Sequence, residues 1–338
     1  MRAFVVTAPR TSGVQEVINP VAGPGQVVVD VSRVGVCGTD VEFFTGEMAY
    51  LHSGHEKYPL RLGHEWCGVI ASVGEGIDKN IVGKRVTADT MLGCGNCYRC
   101  LNNRQHVCEN RFEIGIRNGW AGALAEQLLV PAKAIHFLPD SINDTVGALI
   151  EPGGNSLRAA QAADAKAGKK ILVWGSGTIG LLTAQLASFM GAYVHVIGRN
   201  AQTLSLAKDL GANAVSQDFE EVDGGFDAVI DCTFDKDIPN KALQVVEPGG
   251  RVVYIGISGS PSLIDSRDLV LKDVTAVGIL SASPGLKGTI EIYANGKVDP
   301  TPIVAATVGL SETTDVLSGK RPTNSGVGPK IHIDPRKD

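Results

Sequence analysis

No run of lysine and arginine occurs in these 338 residues, and the formal net charge is −5. Nucleic-acid binding driven by counterion release needs a basic surface, so nucleic acid is excluded as a partner class. Long apolar runs are missing as well. Nothing approaches the roughly 20 residues that span a bilayer, and the opening MRAFVVTAPR meets Pro9 too soon to form the apolar region of a secretory signal. No membrane partner is expected. The seven cysteines are an odd number, and four of them crowd between Cys94 and Cys108, unlike a secreted disulfide framework. The expected location is a reducing cytoplasm.

Hydrophobic residues at 43% and charged residues at 20% are the values of a folded chain, long enough for two domains. From Met1 to about Ile150, short apolar alternations such as RAFVVTA, GQVVVDVSRVGV, GVIASVG and KRVTA are cut by glycine and proline. That pattern predicts a β-rich region with loops. From Pro152 the text alternates strand and helix: KILVW, then TIGLLTAQLASFM to Gly191, then YVHVI, then AQTLSLAKDL to Gly211. FDAVIDC and GRVVYIGI are further strands, so an α/β unit with a parallel sheet is expected. After about Lys297, IVAATV and PKIHI read as strands that return to the first region.

GSGTIG, Gly175-Ser176-Gly177-Thr178-Ile179-Gly180, follows a strand and opens a helix, the context in which G-x-G-x-x-G binds a dinucleotide. Gly175 suits the tight turn, Gly177 lets the backbone approach a pyrophosphate, and Gly180 lets helix and strand pack closely. The next strand ends in YVHVIGRN, where Gly198 stands in place of the acid that would hold the adenine ribose. With no carboxylate to repel a 2′-phosphate, Gly198, Arg199 and Asn200 point to NADP(H) as the preferred cofactor, the Arg199 fork pairing with the dianion. If Arg199 is only a solvated loop charge, NAD(H) is accepted too.

CGNCYRCLNNRQHVC sets Cys94, Cys97, Cys100 and Cys108 in a C-x2-C-x2-C-x7-C pattern. Four thiolates on one tight loop suit a closed, structural zinc site. His106 reads as a surface residue of that loop, and Cys67 and Cys232 as buried thiols without a partner motif.

With GVCGTD at 35–40, GHE at 63–65, the cysteine lobe, EP at 151–152 and GSGTIG in order, the whole chain resembles the zinc-dependent medium-chain dehydrogenase/reductase superfamily. The resemblance implies a GroES-like catalytic domain over 1–151, a Rossmann domain over 152–298, and a return to the catalytic domain over 299–338. It implies two zinc ions per chain, one catalytic and one structural. Cys37 and His64 match catalytic zinc ligands, Glu65 a carboxylate that ligates or sits just behind the metal, and Glu151 a third position that binds directly or through water. The triplet G-H-E also occurs at 54–56, but only the second copy leads into a strand, WCGVIASVG.

The implied reaction is hydride transfer between a nicotinamide and a zinc-polarised hydroxyl, with Thr39 matching the hydroxyl that takes the proton. Glu42 stands where a relay histidine is often found, as in the glucose dehydrogenase branch, whereas EPGGN departs from that branch's Glu-Pro-Leu. His55 belongs to a polar loop expected to rim the cleft, and Asn155 is either a hydroxyl-binding amide or the N-cap of SLRAAQAA. The substrate implied is a small alcohol: a polyol, sugar or cyclitol, alternatively an aldose at C1 or an amino alcohol such as threonine. A cofactor-binding relative without catalysis is the alternative of another class. Apolar alternations at 255–280 resemble the family's sheet edge, so a homodimer or homotetramer is expected.

Overall fold

The structure, a computed structural model, describes residues 1–222 and 224–337. A seven-stranded sheet runs in the order Val304–Val308, Lys330–Ile333, Gln26–Gly35, Glu65–Val73, Arg85–Ala88, Ile135–Phe137, with Gln127–Pro131 also paired to Gln26–Gly35. Val27, Val29 and Val31 alternate onto one face and pack with Trp66, Ile70 and Val86. The tail strand Lys330–Ile333 joins this sheet antiparallel to Gln26–Gly35, His332 opposite Gly35, so the last strands return to the first region. That pairing sets Lys330 among residues about 300 positions earlier in the chain.

The second sheet has six strands, each neighbouring pair parallel, in the order Ala214–Ser216, Tyr193–Ile197, Lys170–Trp174, Phe226–Asp231, Val246–Tyr254, Thr275–Gly278. This is the doubly wound order of a Rossmann fold. Its switch point lies between Lys170–Trp174 and Phe226–Asp231, where the connections leave in opposite directions and open a crevice at the strands' carboxyl ends. Ile171, Val173, Val194, Val196, Ala228 and Ile230 are fully buried against Leu181, Leu182 and Leu186 of the helix Thr178–Phe189. Each large apolar side chain buried in this way contributes about 1.5–3 kcal/mol.

The helix between the sheets begins earlier than the sequence suggests. It spans Ile150–Ala162 with Leu149 at its N-cap, so Asn155 lies in its second turn and is not a cap. Pro152 is tolerated because a first-turn N–H has no intrahelical acceptor to lose. A side chain at Gly153 or Gly154 would press on Thr289, Tyr293 or Ala282, so the two glycines allow close packing with the segment from Ala282 and its helix Leu286–Ala294.

Two further expectations are corrected. His106 is 8% exposed and therefore not a surface residue, although it takes no part in the cysteine cluster. Cys67 is buried as expected, but Cys232 is only partly so and faces the crevice. Among the described residues no helix is long and apolar enough to cross a membrane.

Candidate functional site

Cys37 is the N-cap of the helix Gly38–Thr45, and Glu65 begins the strand that follows His64. The ligand atoms of Cys37, His64 and Glu65 lie within 4.8 Å of one another. One carboxylate organises the three. Asp40, fully buried, accepts the Cys37 backbone N–H at 2.9 Å and the Gly63 N–H at 3.2 Å, and its Oδ1 lies 3.6 Å from His64 Nδ1. Burial disfavours a charged His64, yet the Asp40 carboxylate and Cys37 hold the imidazole pKa well above its ordinary value. Nδ1 faces this carboxylate at ion-pair distance without a hydrogen bond, which leaves the other ring nitrogen to a metal.

Glu65 is turned toward a cation. Lys330 Nζ lies 2.9 and 2.6 Å from its two oxygens and also donates to the Val36 carbonyl at 2.8 Å. Both side chains are almost wholly buried, so each would be costly without the other. Gly35 makes room, because a Cβ there would collide with Glu65 Oε2. Glu65 is therefore neutralised by a residue that carries no mark in the sequence.

Glu151 lies outside this tight trio but within its field. Burial pushes its carboxyl up to about 7, with the charge of Glu65 adding to the effect and that of His64 opposing it. Its Oε1 accepts a hydrogen bond from Asn155 Nδ2 at 2.9 Å, one helical turn away. Asn155 thus positions Glu151 through its amide nitrogen, and its Oδ1 remains able to accept from a substrate hydroxyl. Thr39 is half-buried in the first turn after Cys37, and Glu42 on the same helix reaches solvent while remaining partly desolvated, which together with Glu47 raises its carboxyl pKa. His55 Nδ1 meets Ser53 Oγ at 2.7 Å and its ring leans on Tyr50, which is itself bonded to Glu113. The cleft wall described below contains none of Thr39, Glu42 and His55.

Cys94, Cys97, Cys100 and Cys108 also form a cluster within 4.8 Å. Sγ separations are 3.9 Å for Cys94 and Cys100 and 3.7 Å for Cys97 and Cys108. Zinc–thiolate bonds of about 2.3 Å in a tetrahedron require sulfur–sulfur edges of about 3.8 Å, so the donor set fits zinc. Backbone N–H groups of Asn96 and Cys97 draw the Cys94 thiol down to about 6, whereas burial pushes the Cys100 thiol up, so it is the geometry of the four sulfurs that fits the metal.

The glycine turn divides its labour. Gly175 has φ +113, and a Cβ on Gly180 would strike the Gly175 carbonyl, so both serve the fold. At Gly177 nothing lies within 4 Å of a would-be Cβ. The protein itself does not require that glycine, which fits space kept for a ligand at the N-terminus of the helix Thr178–Phe189. Gly175, Ser176 and Gly177 line a cavity of about 480 Å³ together with Gly198, Arg199, Asn200, Thr203 and the carboxylates Asp218 and Glu220. Asn200 Oδ1 is committed to capping the helix Ala201–Asp209, accepting from Gln202 at 2.8 Å and Thr203 at 3.3 Å.

Gly198 has a cause beyond cofactor choice. A Cβ there would collide with the hydroxyl of Ser176, which is itself 2.7 Å from Thr203 Oγ1. The second residue of the glycine turn occupies the place an acid would need.

A second cavity, of about 450 Å³, joins the two halves of the site. Cys37, Gly38, Val41 and Glu65 line it with Gly177, Thr178 and Ile179, and it shares Gly177, Cys232 and Phe234 with the first. Cys37 and Glu65 of the candidate metal trio therefore share one cleft with the glycine turn. A dinucleotide laid along the turn would bring its far end toward Cys37 and His64.

A family described as alcohol dehydrogenase GroES-like domain matches residues 23–140, and one described as zinc-binding dehydrogenase matches residues 178–294. The chain is 30% identical over 275 residues to an L-threonine 3-dehydrogenase of Marinomonas sp. (strain MWYL1), covering 78% of this chain and 79% of that one. In three dimensions it is similar to the alcohol dehydrogenase RspB from Escherichia coli CFT073 complexed with NADH, at 26% identity, TM-score 0.90 and 99% of both chains. It is also similar to a zinc-binding dehydrogenase from Sinorhizobium meliloti 1021 bound to NADP, at 29% identity, TM-score 0.88 and 99% of both chains.

Proposed function

This chain belongs to the zinc-dependent medium-chain dehydrogenase/reductase superfamily and is an oxidoreductase, and from that premise we propose that it transfers a hydride between NADP(H) and a secondary alcohol or ketone. The observation that carries the proposal is the single cleft walled by Cys37 and Glu65 on one side and Gly177 to Ile179 on the other. Bound zinc supplies Lewis acidity toward a substrate oxygen, and the nicotinamide supplies the hydride carrier.

The chain's own residues set the conditions. Cys37 and His64 hold the metal, Asp40 fixes the imidazole, Lys330 neutralises Glu65, and Glu151 completes the ligand set directly or through water. Thr39, two residues from Cys37, takes the proton, and Glu42, exposed on the same helix, passes it to solvent. The cysteine lobe holds a second, structural zinc. The substrate is a polyol, sugar or cyclitol. A threonine-type amino alcohol is the second reading, and the named activity of the Marinomonas relative favours it.

Arg199 supports a preference for NADP(H): it lines the dinucleotide cavity, and no protein acceptor among the described residues takes its guanidinium. Asp218 and Glu220 line the same cavity and favour NAD(H) as an accepted second cofactor. The chain associates as a homodimer, or a dimer of dimers, through the edge strand Thr275–Gly278. A panel of polyols, sugars and amino alcohols assayed with both cofactors tests the substrate reading, and turnover of none of them would overturn it. In an Arg199→Ala variant the kcat/KM ratio of NADP to NAD falls about tenfold or more, the loss of one charge-assisted contact. An unchanged ratio would remove Arg199 from the cofactor site.

A further inference from the structure

The C-terminal wall of the cleft holds two cations that neither the metal site nor the glycine turn uses. The helix Thr313–Leu317 ends in a tight double-bonded turn, with Gly319 N–H donating to the Val316 carbonyl and Lys320 N–H to that of Asp315, both at 3.0 Å. Gly319 has φ +85, which suits glycine at this position. The chain then delivers Lys320 and Arg321 to the cavity lined by Cys37 and by Gly177, Thr178 and Ile179.

This placement is anchored. Gly326 N–H bonds the Ala305 carbonyl at 2.9 Å, and a Cβ on Gly328 would collide with Ile303, so the segment that follows is held against the sheet. Arg321 Nη2 donates back to the carbonyls of Gly326 at 2.5 Å and Gly328 at 3.0 Å. One edge of the guanidinium is therefore fixed by neutral acceptors. Its charge is not cancelled, because no carboxylate pairs with it among the described residues.

The charges lining this cavity are Glu65, Lys330, Lys320 and Arg321. Lys330 and Glu65 cancel each other in a buried pair. Lys320 meets only the exposed Asp315, at 2.8 Å, outside the cavity lining, and solvent weakens such a pair. What remains is a positive wall opposite a helix N-terminus that is itself suited to an anion. We infer that Lys320 and Arg321 form an oxyanion subsite of this cleft, closing from the C-terminal side on a phosphate or carboxylate that lies between them and the glycine turn.

Two ligands carry that chemistry there: the diphosphate of the dinucleotide, and an acidic group on the alcohol substrate. The inference rests on reading the cleft as that of a dehydrogenase, and the experiment separates the two. In full-length, zinc-loaded protein, NADPH and NADH are titrated by fluorescence against wild type, Arg321→Gln, Arg321→Lys and Lys320→Gln. Calorimetry then measures inorganic phosphate binding to the cofactor-saturated protein.

If the diphosphate is the ligand, both dissociation constants rise by the same factor, about tenfold or more in Arg321→Gln and less in Arg321→Lys, with their ratio unchanged. If the substrate's acid is the ligand, cofactor binding stays within twofold, and wild type binds phosphate in a way that Arg321→Gln and Lys320→Gln lose. Lys320→Gln guards against a merely loosened loop, since Lys320 has only a solvated partner. Unchanged cofactor constants together with unchanged phosphate binding in all three variants would overturn the subsite. Wild type that binds neither dinucleotide would instead overturn the dehydrogenase reading, and inorganic phosphate titrated into the cofactor-free wild type, Arg321→Gln and Lys320→Gln proteins would then decide the subsite.

Discussion

Asp40 makes three contacts that each fix a different part of the metal site: the Cys37 backbone, the Gly63 backbone and the His64 ring. A buried carboxylate in that position raises ligand basicity and sets the tautomer, and loss of such a partner typically weakens metal binding about 10–100-fold. Asp40→Asn, which keeps the shape and removes the charge, is therefore expected to release the catalytic zinc to a competing chelator at concentrations lower by about that factor. The measurement is zinc retention against chelator concentration, with the cysteine-lobe ion as internal reference, and equal retention in both proteins would refute the role. Cys37, His64 and Glu65 were legible in the sequence because short motifs bracket them. Lys330 was not, since a lysine in PKIHI carries no local mark, and only the pairing of a tail strand with Gln26–Gly35 brings it to Glu65.

Ser176 and Gly198 belong to adjacent strand ends, and the glycine is the price of the serine. Gly198→Asp alone is expected to be a poor route to NAD(H), because the new side chain meets the Ser176 hydroxyl before it reaches a ribose. Adding Ser176→Gly removes that obstacle. The double variant is expected to gain NAD-dependent kcat/KM over the single one by more than the sum of separate effects, the non-additivity of touching residues. Strict additivity in a double-mutant cycle would show that the collision does not govern the choice.

At this scale the sequence was most legible where punctuation and period agree, as in the strand, glycine turn and helix over 170–189. It misled at EPGGN, where Pro152, Gly153 and Gly154 look like breakers. They lie inside the helix Ile150–Ala162, because its first turn tolerates proline and its neighbours leave no room for side chains at the glycines. That shift of start moved Asn155 from a cap to a partner of Glu151, a contact visible only once the helical register is known. The loop holding His55 gave no periodic signal, and its side chains bond partly within the loop, Ser53 with His55, and partly outside it, Tyr50 with Glu113 and Glu56 with the Gly119 N–H.

The two sheets meet at a cleft that takes Cys37 and Glu65 from the first region and its glycine turn from the second, with the C-terminal strands completing the first sheet. The α/β plan was legible from the change of pattern near Pro152. The parallel sheet ends at Thr275–Gly278, near which Ile257, Leu263, Val270 and Leu271 are each at least 75% exposed. Apolar surface at an open edge favours pairing with a second copy. Val270→Glu with Leu271→Glu is expected to lower the mass seen by light scattering toward that of one chain, and an unchanged oligomer would move the interface elsewhere. The account as a whole stands on Cys37 holding a zinc that the reaction needs, and metal content decides it. Wild type should hold about two zinc ions per chain, and Cys37→Ser about one, with alcohol oxidation abolished and NADPH binding within about twofold of wild type. Retained turnover in Cys37→Ser, or a single zinc in the wild type confined to the cysteine lobe, would contradict it.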